Sequence, residues 1–268
     1  MIGTYLQLPF AQHALIAATL IAVISGLIGP FVAARDMAFA VHGTAELAFT
    51  GAAAGLLIAG DAVAGALIGS LVVASAIGLL GARQSERNTA IGVVLAFGLG
   101  VGVLLLSYYH GFATEATNIL FGQILGVTTR DLILLGVVAG VVVVTMLIIY
   151  RPLFFASVDP DVAAARGVPT RLLGLVFGYL LSLTVTAAAQ IVGTLLVLSL
   201  AITPAATARQ LSASPRVVSL LSIGMALVAA DGGLLLSFQF DTVKASVFIT
   251  FIAFGCYLLA RVFRLLRR

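Results

Sequence analysis

The chain has 268 residues, of which 62% are hydrophobic and 9% are charged. A soluble domain is about half apolar and about a quarter charged, so this composition excludes an ordinary water-soluble fold and indicates that lipid surrounds the chain. The net charge of +4 comes from arginines that stand singly or in pairs between apolar runs. This pattern is typical of cytoplasmic loops and not of a nucleic-acid-binding surface. The single cysteine, Cys256, excludes an internal disulfide.

Nine apolar segments approach the length of roughly 20 residues that a membrane-spanning helix needs. Their apolar runs are continuous and do not alternate, which predicts helices and not a β-barrel. They cover about residues 11–34, 37–59, 62–82, 89–109, 131–150, 171–188, 190–208, 216–237 and 244–262. Because the sixth and seventh segments meet at Ala189 and Gln190, eight spanning helices are the alternative. We therefore predict an all-α membrane protein with one transmembrane domain over residues 1–268.

Residues 110–130, between the fourth and fifth segments, contain the apolar stretch 119–125, which is too short to cross a membrane. Such a piece is tolerated at membrane depth only where protein covers it. We predict a short re-entrant or interfacial helix here.

The basic residues predict the orientation of the chain, because cytoplasmic loops carry an excess of arginine and lysine. With the N-terminus outside, twelve of the fourteen basic residues fall on the cytoplasmic side, and Arg130 and Lys244 fall outside. We expect an outer N-terminus and a cytoplasmic C-terminus.

The loop after the fifth segment predicts a short cytoplasmic helix with a defined start and end. Asp159 is a favourable N-cap, Pro160 fits the first helical turn, and Asp161 complements the positive end of the helix dipole. Gly167 supplies the left-handed residue that ends many helices, and Pro169 follows it.

Three ionisable side chains that lie within the apolar segments are candidate site residues, namely His42, Glu46 and Asp231. A charge inside a membrane costs roughly 2.5 kcal/mol or more unless it is paired or hydrated. His42 and Glu46 are four residues apart, so on a helix they share one face about 6 Å apart. Imidazole and carboxylate suit Zn²⁺, Mn²⁺ or Fe²⁺ better than Mg²⁺, which predicts a transient metal site on a transport path. The alternative is that the two side chains only pair with each other. Asp231 is either a further path residue, a hydrogen-bonding partner of a neighbouring backbone, or the site of a break in the helix.

Four stretches of the chain form an ordered set of motifs. Residues 86–107 begin with Glu-Arg-Asn and then Thr-Ala-Ile-Gly, and residues 119–127 contain Leu-Phe-Gly-x-Ile-Leu-Gly. Residues 152–169 form a long loop, and residues 193–209 end in Thr-Pro-Ala-Ala-Thr-Ala-Arg. In this order, from about residue 10 to the C-terminus, the chain resembles the permease family of bacterial ABC importers for zinc, manganese and iron.

The chain departs from that family's pattern at two places. Where the family has Gly-Asp-Ala-x-Ser-His-Ala and then Pro-Gly, residues 41–51 place His42 at the Asp position, Glu46 at the His position and Thr50 at the proline. Residues 243–246 replace a Pro-Ser-Gly-Pro stretch. The exchanged acid and imidazole keep the ligand chemistry and leave the preferred metal open.

The resemblance implies a fold similar to that of the cobalamin and iron-chelate importer permeases, in a bacterial plasma (inner) membrane. The implied partners are cytoplasmic ABC ATPase subunits, an extracellular metal-binding protein and a second permease copy, in a homodimer or a heterodimer. Zn²⁺, Mn²⁺ or Fe²⁺ would bind transiently as cargo, without a permanent cofactor. The short cytoplasmic helix becomes the coupling helix, and its implied ATPase contacts are Asp159, Pro160, Asp161, Ala164, Arg166 and Gly167. Pro204, in the last motif, is expected to kink the seventh segment, with a gating role.

Other functions are possible on the same residues. A permease for a metal chelate or an organic ligand is one alternative, and a secondary transporter driven by protons through Glu46 or Asp231 is another. A purely structural membrane anchor is the third, which the ionisable residues disfavour. The sequence has no phosphate-binding Gly-Lys-Ser/Thr loop and no hydrolase motif, so we expect no enzyme activity in this chain and ATP hydrolysis in a separate subunit.

Overall fold

The computed structural model describes residues 8–80, 84–109, 122–194, 197–240 and 243–267, and within these ranges the chain forms helices and turns without a strand. The helices are α1 (Pro9–Ala34), α2 (Ala38–Ala59), α3 (Ala62–Leu80), α4 (Gln84–Ser107), α5 (Thr129–Val158), α6 (Pro160–Ala165), α7 (Thr170–Val192), α8 (Val197–Ala201), α9 (Thr203–Leu211), α10 (Pro215–Ser237) and α11 (Ala245–Leu266). Six of these described helices, α1, α2, α5, α7, α10 and α11, are long and apolar enough to cross a membrane alone, and α3 and α4 contain shorter apolar stretches.

Hydrogen bonds between helix ends show which ends lie on the same side of the bundle. The ends of α1, α5, α9 and α11 and the start of α10 lie together. Three contacts join them: Arg35 Nε to Ser157 Oγ at 2.8 Å, Tyr150 Oη to the Pro215 carbonyl at 3.3 Å, and Arg264 Nη1 to Gln210 Oε1 at 2.6 Å. We call this side the basic end, because it carries Arg35, Arg151, Arg166, Arg209, Arg216 and Arg264.

The opposite end is joined by its own contacts. Arg130, in the first turn of α5, lies 2.9 Å from Asp61 in the turn between α2 and α3. The backbone N–H of Gln123 donates to the carbonyl of Gln190 near the end of α7 at 3.4 Å. Because successive helices run between the two ends, the described residues make nine passages: α1, α2, α3, α4, α5, α7, the α8–α9 pair, α10 and α11. The predicted all-α fold is confirmed, with six helices long enough to span a membrane alone and shorter apolar helices among the described residues.

The seventh passage is broken into two short helices. Gly193, with φ of 92°, ends α7, and the chain then forms α8 and α9 with an interruption at Ile202. Pro204 is the second residue of α9. A proline in a first turn needs no N–H donor, whereas in a continuous helix it would lose a hydrogen bond and clash with the preceding turn. The predicted kink is therefore a break two residues before Pro204.

The fifth passage is longer than the sequence predicted. We predicted an apolar spanning segment over about residues 131–150, whereas α5 continues to Val158 with Pro152 inside it. Leu153 and Ala156 are 0% and 3% exposed, so packing extends the helix beyond the apolar segment. The prediction of this boundary was wrong because it considered only local hydropathy.

Four glycines let α2 and α3 approach at backbone distance. Gly51 and Gly55 on α2 face Gly65 and Gly69 on α3, and a Cβ added at Gly55 would lie 2.5 Å from the Gly65 Cα. Both pairs have the small-xxx-small spacing that brings membrane helices together. The antiparallel α2–α3 pair is thus specified by residues that the apolar-segment analysis did not single out.

The predicted re-entrant helix lies largely outside the described residues, which resume at Gly122. The part that is described forms a short 3₁₀ turn, Ile124–Gly126. Ile124 is buried, and the turn packs against α1 and α7. The end of the loop is therefore covered by protein, as irregular chain near a membrane interior requires.

Candidate functional site

His42 and Glu46 lie on α2 near the basic end. The helix begins at Ala38, so His42 is in its second turn and Glu46 one turn further on. Glu46 is 6% exposed, and His42 is half-buried with a buried Nδ1 that has no hydrogen-bond partner. Among the described residues, neither side chain makes a hydrogen bond or ion pair, including with the other. The alternative that they only satisfy each other gains no support.

The surroundings of α2 keep these two side chains inside the protein. On one side a Cβ at Gly43 would lie 2.6 Å from Ile91 Cγ2 of α4, so the two helices are in direct contact. Thr50, which stands at the family's proline position, donates its hydroxyl to the Gly98 carbonyl of α4 at 2.7 Å. α3 packs through the four glycines, and α7 and α8 also contact α2. The buried ligand atoms therefore lie within the bundle, away from the lipid.

Asp231 lies elsewhere. It is on α10, and Thr19 Oγ1 of α1 lies 3.2 and 3.3 Å from its two carboxylate oxygens. Asp231 is sixteen residues from the start of α10 at the basic end, about 24 Å along the axis, whereas His42 is four residues, about 6 Å, from the start of α2. Within the described chain, no group of three or more His, Cys, Asp or Glu side chains is arranged to hold a metal. The structure unites two of the three predicted path residues on one helix and leaves Asp231 at the α1–α10 interface.

The predicted short helix is α6, and its two ends have the expected chemistry. The Asp159 side chain caps it by accepting from the backbone N–H three residues on at 3.0 Å. At the other end the N–H of Gly167 donates to Ala164 at 2.9 Å and that of Val168 to Ala163 at 3.0 Å. These are the two bonds of a Schellman motif, which the left-handed Gly167, with φ of 82°, makes possible.

One face of α6 is anchored and the other is free. Ala163 is fully buried, which fixes the helix to the bundle. The residues that the resemblance marks as ATPase contacts are all exposed: Asp159, Pro160, Asp161, Ala164, Arg166 and Gly167. The basic end thus presents a rigid, solvent-facing helix.

Arg35 connects this region to α2, a contact that the sequence did not reveal. Its Nε donates to Ser157, three residues before α6 begins, and its guanidinium lies 5.5 Å from the centre of the Phe177 ring of α7. Asp36, the next residue, has φ of 52°, a left-handed conformation that is uncommon outside glycine. The short turn that starts α2 is therefore tied to the end of α5. Arg35 and Ser157 are 122 positions apart, so no local signal predicts their contact.

The comparison with protein families decides the class of the chain. Residues 7–264 match the ABC 3 transport family. The chain belongs to this family. It is 32% identical to the manganese transport system membrane protein MntC of Halalkalibacterium halodurans over 96% of this chain and 88% of that protein. It is 28% identical to the high-affinity zinc uptake system membrane protein ZnuB of Haemophilus influenzae over 85% and 88% of the two chains.

Solved structures share the fold of this ABC 3 family chain. A chain of PsaBC from Streptococcus pneumoniae in complex with Fab superimposes with a TM-score of 0.87 at 28% identity, covering 97% of this chain and 95% of that one. An inward-facing ABC transporter of metal-chelate type matches with a TM-score of 0.66 at 15% identity over 92% and 84% of the chains. The second likeness concerns the fold alone. It confirms the expected similarity to chelate-importer permeases.

Proposed function

We propose that the chain is the transmembrane permease subunit of an ATP-driven importer that moves a divalent transition metal into the cell. The observation that carries the proposal is that the buried Glu46 and the half-buried His42, inside a spanning helix of an ABC 3 family chain, make no hydrogen bond or ion pair within the described residues. The relatives named for manganese and zinc transport support these two metals as cargo, and iron has the same ligand preferences. Family membership favours this function over the proton-driven secondary transporter.

The path site requires a second permease copy, identical or homologous. One chain contributes one carboxylate and one imidazole, which is too few for a divalent cation. Two copies would contribute two of each, so two carboxylates neutralise the cation and four N/O ligands suit tetrahedral coordination. Such a site is neutral when it is loaded, and a transport path must also release its ion. Asp231 is a further path residue nearer the opposite end of the bundle.

The energy of ATP hydrolysis would be transmitted to the permease through α6. Two ATPase subunits dock on its exposed face, and this chain itself hydrolyses no ATP. A displacement of α6 reaches Ser157 directly, then Arg35, and then the turn from which α2 carries His42 and Glu46. Arg35 is thus a positioning residue between ATPase docking and the metal ligands.

The basic end faces the cytoplasm of a bacterial plasma membrane, and the opposite end receives metal from an extracellular binding protein. The grouping of arginines at one end of the bundle supports this orientation. Ala213 and Gln239 are exposed at opposite ends of α10. In a Cys256→Ala background, a cysteine at position 239 should react with an impermeant reagent from outside, and one at 213 should not. Outside labelling at 213 would overturn the orientation.

The function is tested by uptake of manganese, zinc and iron, measured separately in proteoliposomes that hold the permease with its ATPase. Glu46→Gln keeps the side-chain size and should lower metal uptake at least tenfold, and His42→Ala should do the same. Asp131→Asn is the matched control, because it removes a carboxylate from the loop end of α5 and should transport at the parental rate. If Glu46→Gln assembles normally and transports metal at the parental rate, the pair has only a structural role.

A further inference from the structure

A groove at the basic end runs between α5 and α10 and has α1 as its floor. Its volume is about 380 Å³, within the usual range of small-molecule sites. Aromatic rings line much of it, namely those of Phe31, Tyr150 and Phe154. Tyr150 spans the groove, since its hydroxyl lies 3.0 Å from Ser219 Oγ and 3.3 Å from the Pro215 carbonyl. The groove is therefore a preformed cleft with apolar walls.

The rims of the groove are apolar as well. Val158, which lines the groove on the α5 side, is 66% exposed, and Leu220, the residue after the lining Ser219 on α10, is 70% exposed. In a chain that spans a membrane, such rims face hydrocarbon. The groove consequently opens towards lipid and suits an acyl chain better than a water-soluble molecule.

One cation lines the groove. Arg209, in the last turn of α9, is exposed and makes no hydrogen bond or ion pair within the described part of the chain. Arg151 and Arg216 directly follow the lining residues Tyr150 and Pro215 and are also exposed. Arginine binds phosphate through two parallel N–H donors, and basic pockets between helices at the cytoplasmic side of a membrane bind anionic head groups. The charge at the groove therefore complements a phosphate.

We propose that this groove binds one anionic phospholipid, with an acyl chain against the aromatic wall and the phosphate on Arg209. The proposal is independent of the transported metal. It concerns a surface that neither the His42–Glu46 pair nor α6 occupies. A bound lipid would brace α5 against α10 beside the start of α6.

The test uses the purified permease–ATPase complex in detergent, with lipid retention measured by native mass spectrometry. Phosphatidylglycerol and phosphatidylcholine with the same acyl chains are the probes. The parental complex should retain phosphatidylglycerol at least fivefold better. Arg209→Gln should abolish that preference, whereas Arg171→Gln, an exposed arginine at the same end outside the groove, should preserve it.

Two further arms distinguish the possible occupants. Ala213→Phe places a ring at the exposed rim and should lower the retention of both lipids at least fivefold. Glycerol phosphate, which has the head-group charge without acyl chains, should not compete. The proposal is overturned if the two arginine variants retain lipid equally, if glycerol phosphate displaces the lipid, or if the complex with its ATPase retains none.

Discussion

Helices α2 and α5 are buried in opposite ways, although both span the bundle. On α2 the buried residues include Glu46, Leu47 and Phe49, at 6%, 4% and 4% exposure. On α5 the exposed residues include Val137, Val144 and Leu147, at 62%, 57% and 67%. The helix that carries His42 and Glu46 is enclosed, and the helix richest in valine and leucine is exposed. In a membrane the solvent is lipid, so burying an apolar side chain gains no hydrophobic free energy. Polar and small residues therefore determine which face of a helix is buried.

Glycine shows the same contrast. On α2 the glycines contact backbone of α3, whereas a Cβ at Gly136 or Gly140 of α5 would meet nothing within 4 Å. The α2 glycines that face α3 are therefore required for helix packing, whereas Gly136 and Gly140 of α5 could be replaced by larger residues without a clash.

The largest effect is expected for Gly55→Leu. Its Cβ would lie 2.5 Å from the Gly65 Cα, and a backbone atom cannot move aside as a side chain can. We expect at least about 3 kcal/mol of destabilisation, the upper range for overpacking. Unfolding in detergent, followed by circular dichroism, measures it. Gly140→Leu is the matched control and should change the free energy of unfolding by less than about 0.5 kcal/mol. Equal effects would show that burial of the glycine face is not what separates α2 from α5.

Ala164→Asp should produce the next largest effect, at the short helix that follows α5. A carboxylate on the exposed face of α6 would be desolvated under a docked ATPase. We expect about a tenfold loss of copurifying ATPase with normal membrane insertion, measured by affinity purification. Ser214→Asp adds the same charge at an exposed N-cap position of the same end, where Asp is as favourable as Ser, and should have no effect. An intact, fully active complex with Ala164→Asp would refute the ATPase contact.

Breaking the contact that joins α5 to the start of α2 should uncouple transport from hydrolysis. Arg35→Gln and Ser157→Ala each remove the 2.8 Å bond, and we expect a stability loss of about 1–2 kcal/mol. Metal transported per ATP hydrolysed should fall about fivefold while hydrolysis continues. The double variant should be no worse than Arg35→Gln alone, because Arg35→Gln already removes the bond to Ser157.

Arg264→Gln is the control for that experiment. It breaks a bond of similar length, to Gln210 at the same end, without touching the α1–α2 turn. A similar loss of coupling in this variant would mean that Arg35 acts only through general stability.

The smallest effect is expected at the opposite end, where Asp61 and Arg130 join the α2–α3 turn to α5. The backbone N–H of Ala64 donates to Asp61 and the Arg130 guanidinium lies beside it, and together they hold the pKa of Asp61 below its usual value although partial burial opposes this. A carboxylate with a lowered folded-state pKa stabilises the fold above its unfolded pKa of about 4, and this stability is lost as the pH falls through the folded value.

Asp61→Asn should therefore lower the free energy of unfolding by about 0.5 kcal/mol at pH 7, since Arg130 is mostly exposed and Asn still caps α3. Parental protein and variant should converge below about pH 4. The free energies of unfolding of the parental protein and the variant, measured as functions of pH and salt concentration, test this expectation. A difference that persists in acid or in high salt would assign the effect to packing and not to the ion pair.

Local features of the sequence by themselves determined several parts of this structure. The length of each apolar run set the number of passages, because a helix must satisfy its own backbone in lipid. Asp159 and Gly167 bounded α6 correctly, since caps act within one helical turn. His42 and Glu46 could be proposed as site residues from the sequence because ionisable side chains are costly inside an apolar run. The spacing of Gly51 and Gly55 is also visible in the sequence and could have predicted a close helix contact.

Only the tertiary structure decided the features that depend on distant packing. α5 continues past Arg151 because Leu153 finds buried partners there. Asp231 bonds to Thr19, 212 positions away, and is thereby separated from the His42–Glu46 pair. The face of α2 that is enclosed follows from α3 and α4, which pack against it through glycines. In lipid, hydropathy is nearly equal on all sides of a helix, so neighbouring helices and not periodicity determine which side is inside.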